Sequence, residues 1–104
     1  MPSSKEFLNF ILDQTSSCGE VSYRAMMGEY IVYYSGKIVG GIYDDRFLVK
    51  KTDAAKRLIP DAPEEVPYEG AKKMLLVENV DDRDFLEKLL SEIFAELYLP
   101  KGVF

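Results

Sequence analysis

The chain has 104 residues, 47% hydrophobic and 30% charged, with a formal net charge of −5 and no histidine. That balance belongs to a folded chain rather than a disordered one, and the length leaves room for one core and one domain over residues 1–104. The missing histidine excludes Ser-His and Cys-His nucleophile pairs and imidazole metal sites, the single cysteine excludes a thiolate zinc site within one chain, and the acidic balance disfavours a broad phosphate-binding surface.

The chain opens on Met1-Pro2-Ser3-Ser4-Lys5-Glu6, which has no apolar signal segment, and no apolar run nears the roughly 18 to 20 residues of a membrane span. Cys18 has no partner for an intramolecular disulfide, so a cytoplasmic location is expected. Ser3-x-x-Glu6 is a capping-box pattern, and Phe7, Leu8, Ile11 and Leu12 recur at one-turn spacing behind it, predicting a helix from about Ser4 to Ser16. Gly19 is placed to end that segment. From Val21 the pattern turns to β-branched and aromatic residues. Four strands are expected, over Val21 to Met27, Tyr30 to Tyr34, Lys37 to Tyr43 and Arg46 to Lys50.

Gly28, Ser35-Gly36 and Asp44-Asp45 leave only tight turns between these strands, which forces antiparallel neighbours. Gly40-Gly41 falls inside a strand, where it signals a bulge or the close approach of another backbone. Thr52 or Asp53 caps a short helix through Leu58, Pro60 stops it, and Asp61-Ala62-Pro63 begins a long Pro-rich, acidic connection to Gly70. Lys73 to Glu78 reads as a buried strand. Asp81 and Asp82 then start a helix whose stripe runs through Phe85, Leu86, Leu89, Leu90, Ile93, Phe94 and Leu97 to Pro100. The expected class is α+β, an antiparallel meander sheet with helices on one face in the order α-β-β-β-β-α-β-α.

The segments Tyr23-Arg24-Ala25-Met26-Met27-Gly28-Glu29-Tyr30, Tyr34-Ser35-Gly36-Lys37 and Gly40 to Lys50 together resemble the N-terminal domain of the TfoX/Sxy competence-regulator family. Pro67-Tyr68-Glu69-Gly70-Ala71-Lys72 is similar to the turn before that family's next strand. The resemblance implies a TfoX N-terminal or YjbR-like α+β fold and a role akin to transcriptional co-activators that act beside a cyclic-AMP receptor protein. Those regulators carry a second, helical C-terminal domain. Here the sequence ends at Phe104, directly after the last helix, so a stand-alone domain is expected.

The leading expectation is a non-enzymatic binding or regulatory module that uses no cofactor and no metal. Its candidate partner-binding residues are Arg24, Met26, Met27, Gly28, Glu29 and Lys50. Arg24 can fork onto a carboxylate or phosphate, or pair internally with Glu29, Asp44 or Asp45. Met26-Met27 offers an adaptable partner surface, although strand alternation predicts that one of the two is core. Lys50, Lys51, Lys56, Arg57, Lys72 and Lys73 form either a patch on one edge or an ordinary solvated face. Tyr30, Tyr33, Tyr34 and Tyr43 serve as stacking surface or as strand packing. Turn formation and helix capping account for Asp44-Asp45 and Asp81-Asp82 without magnesium, and Cys18 is expected to be inert.

The expected partners are proteins, the transcription machinery among them, with no membrane and no direct duplex binding. One alternative is a homodimer built on the tyrosine-rich sheet face. Another is a small-molecule or enzymatic site using Arg24, Lys50 or Tyr68.

Overall fold

The computed structural model describes residues 4–16 and 20–98, and the expectations for Ser3, Cys18, Gly19 and Pro100 lie outside them. Helix α1, Lys5–Gln14, is capped by Ser4, whose hydroxyl accepts the Phe7 N–H at 3.1 Å. The chain then runs through strands β1 (Val21–Met26), β2 (Glu29–Tyr34), β3 (Lys37–Tyr43) and β4 (Arg46–Val49) into α2, Asp53–Leu58. After it come β5 (Glu64–Glu65), β6 (Met74–Leu76) and α3, Arg83–Tyr98. The elements are those expected from the sequence with one addition, β5. Two residues are too few to show an alternation, and Glu64 and Glu65 are strand only because Leu75 and Met74 pair with them.

All six strands join one antiparallel sheet in the order β1-β2-β3-β4-β6-β5. Its first three hairpins close on two-residue turns with both residues left-handed: Met27 and Gly28 at φ 53° and 85°, Ser35 and Gly36 at 47° and 86°, and Asp44 and Asp45 at 53° and 55°. This primed geometry matches the right-handed twist of the strands it joins. Between β2 and β3 the register slips at Val32/Tyr33, so Val39 is the extra residue of a bulge inside the strand that carries Gly40-Gly41.

Cross-strand pairing divides the sheet into two faces. One row runs Tyr23, Val32, Gly40, Val49, Leu75 across five strands, and the row beside it runs Arg24, Ile31, Gly41, Leu48, Leu76. Val32 and Val49 of the first row bury against Leu8 and Ile11 of α1 and Leu86, Leu89, Leu90 and Ile93 of α3. The helices therefore cover that face, with the bulged Val39 filling the core where Gly40 has no side chain. Tyr30 and Tyr34 pack on the same cluster, Tyr34 meeting Phe94 with ring centroids 5.1 Å apart.

Long-range polar contacts fix the helices. Gln14 donates to the Val80 carbonyl at 3.0 Å, and Arg83 pairs with Asp13 at 2.8 Å, joining the end of α1 to the start of α3. Asp82 caps α3 through the Phe85 N–H. The Glu96 carboxylate on α3 accepts the Asp53 and Ala54 N–H groups at 3.1 and 2.8 Å, while Thr52 accepts that of Ala55. Three donors that a short helix leaves orphaned are thus satisfied, two of them by a distant charge. Replacing Glu96 with Ala should cost about 1 kcal/mol, the size of a lost N-cap, seen as a lower urea midpoint with faster amide exchange confined to the start of α2. An unchanged midpoint would show that Glu96 does not hold α2. Among the described residues no helix is long and apolar enough to cross a membrane.

Candidate functional site

Strand β1 is one of the sheet's two outer strands, and its residues from Ser22 to Met26 are exposed. Ser35 donates its N–H to the Glu20 carbonyl at 2.7 Å. Because antiparallel residues alternate between bonding toward and away from their partner, Glu20, Ser22, Arg24 and Met26 bond inward to β2. The backbone groups of Val21, Tyr23 and Ala25 point outward and have no backbone partner among the described residues, an edge that can take another strand. The expected pairing of Arg24 with Glu29, Asp44 or Asp45 does not occur; Glu29 instead accepts the Asp44 N–H at 2.7 Å, holding two turns together. The Arg24 guanidinium has no ion pair within 4 Å among the described residues.

Neither methionine is core, which corrects the expectation drawn from alternation. Met26 is 39% exposed because it stands on the outer face of an edge strand, and Met27 is 98% exposed because it has left the strand for the turn. A left-handed φ of 53° is one that Asn, Asp and Gly adopt far more readily than methionine. Neither solvation nor turn geometry favours methionine at that position.

The face away from the helices is partly roofed. Tyr43 and Leu48 lie on it and are buried, yet they stand apart from the helix-side core. The segment from Pro67 to Lys73 crosses beside them, bringing the Tyr68 ring to 6.3 Å from that of Tyr43. Gly41 makes this possible: a Cβ there would stand 2.7 Å from the Tyr43 hydroxyl, so the ring lies flat where a side chain would be. Burial pushes the Tyr43 phenol above its ordinary pKa, and nearby Tyr68 and Glu29 push the same way.

A cavity of about 620 Å³ lies on one side of Tyr68, with Ile38, Tyr43 and Met74 among its walls and Lys50, Lys51, Lys72 and Lys73 around it. A second hollow of about 550 Å³ lies on the other side, between Met27-Gly28-Glu29 and Asp44, Arg46, Pro67 and Tyr68. The candidate residues therefore separate. Met27, Gly28 and Glu29 share the second hollow, Lys50 belongs to the first, and Arg24 and Met26 line neither. Lys50 and Tyr68 do meet in one cavity, without Arg24.

Of the six cations considered as a patch, four gather, whereas Lys56 pairs with Asp53 at 3.5 Å and Arg57 with Glu92 at 3.0 Å. Tyr68 stands in the cavity as the small-molecule alternative expected, whereas Pro67 was not among the candidates, although a Pro-Tyr-Glu-Gly turn in a long loop was the available signal. Arg46 was missed too. It is fixed by Glu65 and by the Tyr43 carbonyl. Among the described residues no three or more carboxylates or thiols gather as a metal site.

The TfoX N-terminal domain family model matches residues 13–91, from the end of α1 through most of α3. An uncharacterised 12.7 kDa protein in the trpE 5′ region of Spirochaeta aurantia is 31% identical over 102 residues, covering 97% of this chain and 89% of that protein. Neither description names a reaction, and no solved structure matches. With one match spanning the whole sheet and the other nearly the whole chain, the chain belongs to the TfoX N-terminal domain family.

Proposed function

We propose that the chain is a binding module of regulatory rather than catalytic use, and that it takes an extended segment of a protein partner along the free edge of β1. The observation that carries this reading is the open backbone of Val21, Tyr23 and Ala25 on an exposed outer strand six residues long. Strand addition to such an edge supplies affinity through main-chain hydrogen bonds and specificity through flanking side chains. Those side chains are Arg24, which has no ion pair among the described residues and suits a carboxylate on the partner, and the exposed Met26 and Met27, suited to its apolar residues. Family membership and the absence of histidine favour regulation over catalysis. The transcription machinery is the partner class that the family's regulators suggest.

Three variants test the edge. Ala25→Pro removes an outward N–H without breaking a ladder bond, Arg24→Ala removes the guanidinium, and Met27→Asn suits the left-handed turn. Met27→Asn should raise stability by up to about 1 kcal/mol while weakening partner capture, so binding and folding move in opposite directions. In affinity capture from the protein's own cells, the same proteins should be lost with all three variants and kept with Lys88→Ala on α3. Capture unchanged by the three, with melting intact, ends the proposal. Sedimentation supplies a second arm: a dimer that Ala25→Pro makes monomeric would assign the edge to a second copy and overturn a heterologous partner.

A further inference from the structure

The cavity beside Tyr68 is distant in role from the β1 edge, and the β4–β6 register, with Val49 opposite Leu75, brings Lys50 and Lys51 to the same cavity as Lys72 and Lys73. Lys51 is partnered by Glu64 at 3.0 Å. Lys50, Lys72 and Lys73 have no ion pair within 4 Å among the described residues, in a chain whose net charge is −5. Collecting like charges around one concavity is unfavourable for the empty fold, and an anion placed among them relieves it. The Glu64 carboxyl is held below its ordinary pKa by the Lys51 hydrogen bond first, with the charges of Lys51, Lys73 and Lys56 adding through space against the opposing effect of burial.

The rest of the cavity is not a simple anion site. Tyr43 forms a fixed aromatic wall, seated over Gly41, and the Tyr68 ring is 57% exposed and tilted 54° to it. Ile38 and Met74 add apolar surface. About 620 Å³ fits the usual range of small-molecule pockets, roughly 300 to 1,000 Å³, and holds one ring system with a charged group rather than a polymer.

From the juxtaposition of Lys50, Lys72 and Lys73 with the Tyr43–Tyr68 pair in one cavity, we infer that this chain binds a phosphorylated small molecule bearing a flat ring, of the nucleoside monophosphate class. The ammonium groups hold the phosphate as point charges, and the exposed Tyr68 face stacks on the ring. The module would thus carry a ligand input on the outer face of the sheet, separate from the edge proposed for its partner.

Calorimetric titration with AMP, ribose 5-phosphate and adenosine at low ionic strength separates the two halves of this recognition. AMP should bind saturably, at least about 5-fold more tightly than ribose 5-phosphate, because stacking a base on an aromatic ring is worth that much or more. Adenosine should bind weakest. The double variant Lys72→Ala/Lys73→Ala should weaken AMP by about 10-fold or more, and Tyr68→Ala should abolish the preference for AMP over ribose 5-phosphate. Both sites are exposed, so an unchanged melting temperature confirms that the fold is retained. No saturable AMP binding up to about 10 mM, or binding that the lysine variant leaves unchanged, overturns the inference; a millimolar dissociation constant is already close to the floor of useful affinity. A single-stranded octanucleotide that displaces AMP and binds far more tightly would assign the cavity to a nucleic-acid chain and overturn it equally. Because the readout is direct binding to the purified chain, a negative result leaves the β1 edge proposal standing.

Discussion

Gly40→Ala should lower the melting temperature by well over 10 °C. A Cβ at this position would overlap the Leu48 carbonyl oxygen and stand 2.9 Å from the Val49 Cα, both backbone atoms of the neighbouring strand. No flexible side chain can swing aside to make room. The β3–β4 pairing, Gly40 with Val49 and Gly41 with Leu48, has to open at the middle of the sheet, with core residues on either side of it. Overpacking costs typically run about 1–3 kcal/mol, and rigid backbone on the receiving side puts this case at the upper end or beyond it. For a domain of roughly 100 residues each kcal/mol lowers the melting temperature by about 4–8 °C. Gly36→Ala is the control: its φ is +86°, but open space surrounds the added Cβ, so it carries turn strain without a clash and should melt well above Gly40→Ala. Thermal unfolding followed by circular dichroism decides between them. A Gly40→Ala melting point within about 2 °C of the parent would mean that the two strands do not approach as closely as described.

Phe47→Ala should cost about 3–5 kcal/mol, read from urea unfolding as a lower midpoint at unchanged slope. Phe47 is 1% exposed, opposite Ile42 in the β3–β4 ladder, and belongs to the cluster that α1 and α3 close over. Its own carbonyl accepts the Val77 N–H at 2.9 Å, so β4 is bonded at this point to the chain beyond β6 as well as to β3. That bonding limits how far the backbone can collapse into the space an alanine leaves, which places the cost high in its range. Since folded domains of this kind hold only about 5–15 kcal/mol in all, such a loss threatens folding at physiological temperature. A measured loss below about 1.5 kcal/mol would show that the cluster repacks freely around the gap. Tyr23→Ala, at an exposed position of the same face, is expected to cost far less.

The local elements were legible because each rests on neighbours in sequence. The stripe from Phe85 to Leu97 is one face of α3, the runs from Val21 to Val49 are strands, and Ser35-Gly36 and Asp44-Asp45 are the turns their residue types imply. The bulge and close approach read from Gly40-Gly41 are both present. Between Thr52 and Asp53, and between Asp81 and Asp82, the sequence did not choose a cap, and for α1 the capping-box pattern pointed to Ser3 where Ser4 is the cap. Ser4, Thr52 and Asp82 are the caps observed, a matter of where the backbone turns rather than of side-chain chemistry.

The meander from β1 to β4 is a product of short loops, and the sequence by itself determined it. So too were the family resemblance it carries and the absence of imidazole chemistry. Only the tertiary structure decided that β6 pairs with β4, that Glu64 and Glu65 become a strand, and that Pro67 to Lys73 lies beside the outer face so that Lys50, Lys72 and Lys73 meet Tyr68. Those placements depend on closing a loop of many residues onto a distant partner, and no local period or turn signal records which partner that is. The same reason explains Arg24 and Met27. Sequence placed them in a strand, but that Arg24 has no ion pair among the described residues follows from β1 being an outer strand, and Met27 is exposed because the chain turns there.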